Sequence, residues 1–100
     1  MSMSFPMDLK TGFFSVEPCI VKIDCKSSQL MIAYERTDEA YLIEFDNIKR
    51  IIFNPHMQNE LEFQTDHNTY IGTLNKETTL RGVVDFLKVS FKDKYLEINF

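Results

Sequence analysis

Two neighbouring cations, Lys49 and Arg50, stand between apolar stretches in the segment YLIEFDNIKRIIF at residues 41–53. Basic side chains bind phosphate and carboxylate groups, and earlier lysines could join this pair at one end of a sheet. The candidate anion contacts are Lys22, Lys26, Lys49 and Arg50. We favour the alternative that the pair marks a bulge or corner between two strands, where charges guard against mispairing.

The chain offers little for catalysis. Its histidines, His56 and His67, fall in predicted loops, and no serine lies on a strand-turn-helix elbow that would present a nucleophile. Glu60 and Glu62 share a strand face, but alternation directs both toward water, whereas catalytic carboxylate pairs need burial to separate their pKa values. We expect no catalytic residue, metal site or cofactor, and keep a small enzyme as the remote alternative.

The two cysteines, Cys19 and Cys25, lie six residues apart in a predicted strand. At about 3.3 Å per residue they are roughly 20 Å apart, too far for a disulfide. Unpaired thiols are typical of a reducing compartment. The start of the sequence has no basic and apolar leader pattern, and no apolar run reaches the roughly 20 residues of a membrane-spanning helix. We therefore expect a cytoplasmic protein without a transmembrane segment.

Composition sets the size and the classes of partner. The chain has 100 residues, 44% of them hydrophobic, which predicts one domain over 1–100 with its own core. Residues 1–8 are expected to be poorly ordered, as chain termini often are. The formal net charge of −4 argues against nucleic acid as a partner, because such binding needs an excess of Lys and Arg.

Apolar and polar residues alternate in short runs separated by polar turns, which predicts an antiparallel meander. The signal is weak over 9–16, and Asp46 and Asn47 interrupt the alternation before the basic pair. The clearer runs are 19–25, 30–35, 40–45, 48–53, 60–65 and 69–74.

The periodicity becomes helical after Leu74. Apolar residues recur at i, i+3, i+4, i+7 and i+11, which is one helical stripe. These residues are Leu80, Val83, Val84, Leu87 and Phe91. We predict a helix from about Lys76 to about Lys92. The final segment YLEINF alternates again, and it is interpreted either as a last strand or as an apolar tail that docks on the sheet.

This order of elements resembles a pleckstrin-homology-like (PH-like) barrel over residues 17–92. The segment YLIEFDNIKRIIF looks like the strand pair around a corner in bacterial PH-like and GRAM-type domains, and ETTLRGVVDFLKVSF looks like the helix that plugs one end of such a barrel. The resemblance implies an α+β, mainly antiparallel fold. It would be a partly open barrel of about six to seven strands, with one C-terminal amphipathic helix and room for a final short strand.

Apolar residues on the strand faces assigned outward, together with those of the final segment YLEINF, suggest a protein interface, because monomers rarely leave large apolar patches bare. The candidate interface residues are Leu42, Ile71, Leu96, Ile98 and Phe100. Our leading hypothesis is a non-catalytic module that binds another protein or itself. The alternative is binding to the anionic surface of a membrane through the basic residues. We favour it less, because the second strand offers only Arg36 where phosphoinositide-binding PH domains carry a basic pair.

Overall fold

The computed structural model describes residues 1–74 and 77–99, with the side chains of 77–79 excepted. Within this part of the chain the helix α1 spans Glu77–Phe91, and 3₁₀ turns occupy Phe45–Asn47 and Lys92–Lys94. The strands are β1 (Ser2–Lys10), β2 (Val16–Asp24), β3 (Gln29–Tyr34), β4 (Ala40–Glu44), β5 (Ile48–Asn54), β6 (Glu60–Thr65), β7 (Thr69–Thr73) and β8 (Tyr95–Glu97).

The described strands form one sheet in the order β4-β3-β2-β1-β7-β6-β5-β8. Every pairing is antiparallel except that of β8, which runs parallel to β5. A chain that returns through a helix can add a parallel strand, whereas a tight hairpin cannot. The α+β class, the mainly antiparallel sheet, the single C-terminal helix and the final short strand are therefore confirmed.

The core lies between the concave face of the sheet and α1. Alternate residues of each strand point inward, and the helix adds one stripe. Among the described residues, no polar or charged side chain is buried. The buried apolar side chains include three from the apolar stripe of α1, Val83, Leu87 and Phe91. Phe91 packs on Phe45 with ring centroids 4.8 Å apart, so the helix closes the end of the sheet at which β4 stops.

The expectation of a poorly ordered start at 1–8 is wrong, because these residues belong to β1, which pairs with β2 along its whole length. Phe5, Met7 and Leu9 are buried, so the strand alternates as a half-buried strand should. The sheet thus extends beyond the expected 17–92 core at both ends of the chain. The residues that follow β1, over 11–15, form the loop of the β1–β2 hairpin, within the stretch where the alternation is weak.

Pro6 fits within β1 because of the hydrogen-bond register. Main-chain bonds from Cys25 N–H to Met1 O and from Thr11 N–H to Ser15 O show that odd-numbered residues of β1 bond to the β2 side. The nitrogen of Pro6 therefore points toward the β7 side, where pairing begins only at residue 8. A proline at such a position removes no ladder hydrogen bond.

The corner around the basic pair is confirmed. β4 ends at Glu44, the 3₁₀ turn follows, and the register of β5 with β6 shifts between Ile48 and Arg50. Lys49 is the extra residue of this bulge. A bulge bends a strand and shifts the alternation of inward and outward side chains by one residue. Ile48 and Ile51, on either side of Lys49, are therefore both buried although they are three residues apart.

The helix begins and ends within one residue of the predicted bounds, and the chain then turns into β8. The final segment is therefore a strand over 95–97, bonded to β5 and extended by a hydrogen bond from Ile98 N–H to Phe53 O. Within the described residues, no helix has the length and apolarity needed to cross a membrane.

Candidate functional site

The outer face of β2, β3 and β4 carries a cross-strand row of Lys22, Met31 and Leu42, which we name the Leu42 surface. Leu42 lies on the edge strand and is 62% exposed. A shallow, mainly apolar cavity of about 250 Å³ opens beside it. The lining residues are Lys22, Asp24, Ser27, Gln29, Met31 and Leu42.

A second outer row crosses the other half of the sheet. The register aligns Leu96 with Ile52, Ile52 with Glu62, and Glu62 with Ile71. We name Ile52, Ile71 and Leu96 the Leu96 surface. Leu96 is 48% exposed on the edge strand β8, whereas Ile52 and Ile71 are half-buried and flank the Glu62 carboxylate. This surface is more polar at its centre than the Leu42 surface.

The structure thus divides the predicted interface between two surfaces. Ile71 and Leu96 come together in one row, and Leu42 lies on the strand at the opposite edge of the sheet. Ile98 is half-buried and follows β8, while Phe100 lies outside the described residues. The sequence indicated which side chains face outward, but the grouping depends on strand order, which local alternation does not specify.

The candidate anion contacts fall on two separate parts of the sheet. Lys22 lies on the outer face of β2 and Lys26 in the β2–β3 turn, with Asp24 between them in sequence. The Asp24 carboxylate accepts hydrogen bonds from the Ser27 hydroxyl (2.9 Å) and the Lys26 N–H (3.0 Å). These bonds, of which the one from Ser27 has the largest effect, lower the pKa of Asp24 from its usual value. The carboxylate therefore stays negatively charged to lower pH than an ordinary aspartate.

Lys49 and Arg50 begin β5, and both are exposed. In the sheet order β5 is separated from β2 by three strands. The turn that holds Lys26 does approach the corner, through a hydrogen bond from Phe45 N–H to Ser28 O (2.9 Å). The structure thus places the two basic groups on separate elements, and a main-chain hydrogen bond joins the turn that holds Lys26 to the corner before β5.

A tyrosine cluster, which the sequence analysis did not identify, joins the two halves of the sheet. One half consists of β1 to β4 and the other of β5 to β8. Tyr34 on β3 and Tyr41 on β4 share a hydroxyl–hydroxyl hydrogen bond of 3.2 Å, and Tyr41 packs on Tyr70 of β7 with ring centroids 5.2 Å apart. The hydrogen bond from Tyr41 is the main cause that raises the pKa of Tyr34. Alternation placed the three rings on inward faces, but the approach of β4 to β7 has no local sequence signal.

The histidines lie in loops, as expected. His56 borders an open cavity of about 350 Å³ together with Lys10 and Glu60, which are joined by an ion pair of 2.7 Å. His67 is exposed in the β6–β7 turn. Within residues 1–74 and 77–99, no group of three or more His, Cys, Asp or Glu side chains is placed to hold a metal ion.

Exposed aromatic residues mark the tip of the β1–β2 hairpin. Phe13 and Phe14 are fully exposed, with ring centroids 6.5 Å apart. The hydrogen bond from Thr11 N–H to Ser15 O (3.0 Å) closes the loop beneath them. The tip therefore adds a third apolar feature to the two outer rows.

No protein-family model matches the chain. No curated protein matches it either. Among solved structures, the chain is similar to the C-terminal domain of an unknown protein from Leishmania infantum, with 20% identity, a TM-score of 0.68, and 90% of this chain and 83% of that chain covered. It is also similar to the N-terminal PH domain of human ARAP2, with 18% identity, a TM-score of 0.65, and coverage of 92% and 80%.

A third similar structure is the Spt16D–Pob3N heterodimer, with 11% identity and a TM-score of 0.68. All of this chain is covered, and it spans 57% of that chain. The chain has a PH-like fold, as the resemblance predicted. At these identities the likeness concerns the fold alone, so function must be argued from the surface.

Proposed function

We propose that this chain is a non-catalytic binding module that mediates protein–protein interaction, with self-association included. The observation that carries the proposal is the Leu42 surface. Leu42 is 62% exposed on an edge strand, beside a mainly apolar cavity, although the same sheet buries its inward apolar residues almost completely. Full burial of an exposed leucine side chain contributes about 1.5–3 kcal/mol, and Leu42 retains most of its surface for a partner to cover, so it can act as an anchor.

The similar structures support the choice of a protein as partner. One is a heterodimer and another is a PH domain, so PH-like folds of this kind occur in protein assemblies. Two free thiols, Cys19 and Cys25, accord with a reducing compartment, and we place the protein in the cytoplasm.

Anionic lipid or phosphate is the weaker candidate ligand. The Asp24 carboxylate stands between Lys22 and Lys26 and stays ionised to lower pH than an ordinary aspartate. A formal net charge of −4 also repels an anionic bilayer at long range. Both features oppose the local positive potential that such a ligand requires.

The test is a mild crosslinking pull-down of the tagged protein from its own cells, read by mass spectrometry and repeated with the purified partner. The Leu42→Asp variant should lose most of the partner and keep its fold, because the substituted side chain is already exposed. Val89→Asp, on the exposed face of α1, is the matched control and should bind normally. Equal recovery with wild type and Leu42→Asp would contradict the proposal.

A further inference from the structure

The edge of β4 presents a defined set of main-chain groups. The hydrogen bonds from Tyr34 N–H to Glu39 O and from Phe45 N–H to Ser28 O fix the register of β4 with β3. In an antiparallel pair the residues facing the neighbour alternate, so residues 39, 41, 43 and 45 bond to β3. The N–H and C=O groups of Ala40, Leu42 and Glu44 therefore point away from the sheet.

This edge lacks most of the devices that prevent strand pairing, and Glu44 is its one charge. Such devices are a proline, charged side chains (lysine above all), a bulge, or a strand that is too short to pair. β4 has five residues, AYLIE, with no proline or lysine, and its register with β3 is regular. The other edge strand, β8, has three residues and is therefore blunted by its length.

Resting on the proposed function, we infer that the partner at this edge is a second copy of the chain. The two β4 strands would pair antiparallel about a two-fold axis at Leu42. Leu42 then faces Leu42 of the other copy, and Ala40 faces Glu44 on either side. This register engages all three outward main-chain positions of both strands, and it adds the two sheets into one.

Avoidance of like-charge repulsion favours this register over the one centred on Glu44. Glu44 is the only charged residue of β4, and here it faces Ala40 of the second copy. A shift that centres the axis on Glu44 would oppose two carboxylates, which destabilises a strand pair. Glu44 also accepts a hydrogen bond from Gln29 Nε2 (2.9 Å), so its carboxylate remains satisfied at the edge of the pair.

The side chains of the outer face support a second copy as well. The row Lys22–Met31–Leu42 of one copy continues into Leu42–Met31–Lys22 of the other, so apolar side chains meet at the axis and the lysines lie far apart. The shallow cavity on this face is lined in part by Leu42, so it lies next to the two-fold axis. An apolar centre with a polar rim is the usual composition of a protein interface.

The register is tested by oxidative crosslinking of single cysteines. In a Cys25→Ser background, Leu42→Cys should form a disulfide dimer with copper phenanthroline, because directly opposed Cα atoms are about 5.5 Å apart. Glu44→Cys is the matched control. Two such cysteines would be offset by four residues, roughly 13 Å, and should not crosslink. Equal crosslinking of the two variants would overturn the register.

Sedimentation velocity over a concentration series tests the association itself. Wild type should shift from monomer to dimer mass as concentration rises, while Leu42→Lys stays monomeric with an unchanged circular dichroism spectrum. Leu96→Lys, on the other edge strand, should dimerise normally. A wild type that is monomeric throughout overturns the inference, and a different protein captured through Leu42 would then leave the proposed function standing. A wild type that stays monomeric and captures no other protein would contradict both.

Discussion

At the residue scale, Gly72 shows how closely the two halves of the sheet approach each other. A Cβ atom at this position would lie 2.6 Å from Met7 Cγ and 2.8 Å from the main-chain oxygen of Asp8. β7 pairs with β1 only through residues 72 and 73, so glycine here permits the contact that joins the two halves. A Cβ on Gly82 would meet nothing within 4 Å.

We predict opposite effects of alanine at the two glycines. Gly72→Ala should lower the free energy of unfolding by about 1–3 kcal/mol, since main-chain atoms of β1 must move. Gly82→Ala should raise it by about 1 kcal/mol, through the better helix propensity of alanine. Urea unfolding followed by circular dichroism measures both. Equal effects of the two substitutions would contradict the close approach of β7 and β1.

Cys19 should make stability depend on pH in the alkaline range. Burial is the main cause that raises the pKa of its thiol from 9.0 to about 11. Between these values the unfolded chain releases the proton while the folded chain retains it, so stability falls as pH rises through this window. Relative to wild type, Cys19→Ala should lose less stability across the window, as measured by urea unfolding. Parallel pH profiles would contradict this assignment.

The difference in burial between Cys19 and Cys25 should also give their thiols different reactivity. Cys19 is fully buried, whereas Cys25 is half-buried with its Sγ 3.5 Å from Ser90 Oγ. Because the exposed thiolate is the reactive species, iodoacetamide should modify Cys25 well before Cys19 in the folded protein. Peptide mass spectrometry after timed labelling distinguishes them. Faster modification of Cys19 would mean that β2 is not packed as described.

At the element scale, the elements with a strong period were predictable and β1 was not. The stripe of α1 and the slip at Lys49 followed from side-chain spacing alone. β1 carries an equally regular pattern at Phe5, Met7 and Leu9, but its position at the start of the chain outweighed the pattern. The strand also contains Pro6, and whether a proline is tolerated in a strand depends on which neighbour its nitrogen faces, which is a property of the assembled sheet.

β1 provides a test of this correction. Phe5→Ala should cost about 3–5 kcal/mol of unfolding free energy, because the side chain is buried in the core. Pro6→Ala, on the opposite face of the same strand, should change stability far less. Urea unfolding of both variants decides the matter. A neutral Phe5→Ala would restore the picture of a poorly ordered start.

At the scale of the whole molecule, the candidate interface required knowledge of strand order. The outward direction of Leu42 follows from alternation, and Leu96 was a candidate as part of the apolar final segment. Their positions on the two opposite edge strands follow only from the long-range pairing. The tyrosine contact between β4 and β7 belongs to the same level. Such non-local contacts have no short-range signature, so the sequence supplied the residues but not their grouping.

The charge distribution leads to a prediction about membranes. At physiological salt the protein should not sediment with phosphatidylserine vesicles, because Asp24 and the net negative charge offset the dispersed lysines. Salt-sensitive sedimentation that is abolished by Lys49→Glu with Arg50→Glu would contradict the account. Glu replacement of both Arg81 and Lys92, which are exposed on α1 and in the 3₁₀ turn after it, is the matched change of charge.

Hydrogen exchange shows whether the edge of β4 is the surface that binds the partner. Exchange is measured by mass spectrometry on the protein in its isolated complex and again after dilution to the free chain. The account predicts slowed exchange in the complex for a peptide covering 39–45, because Ala40, Leu42 and Glu44 gain main-chain partners, while a peptide covering 80–91 of α1 is unchanged. Unchanged exchange over 39–45 in a complex that protects another surface would contradict it.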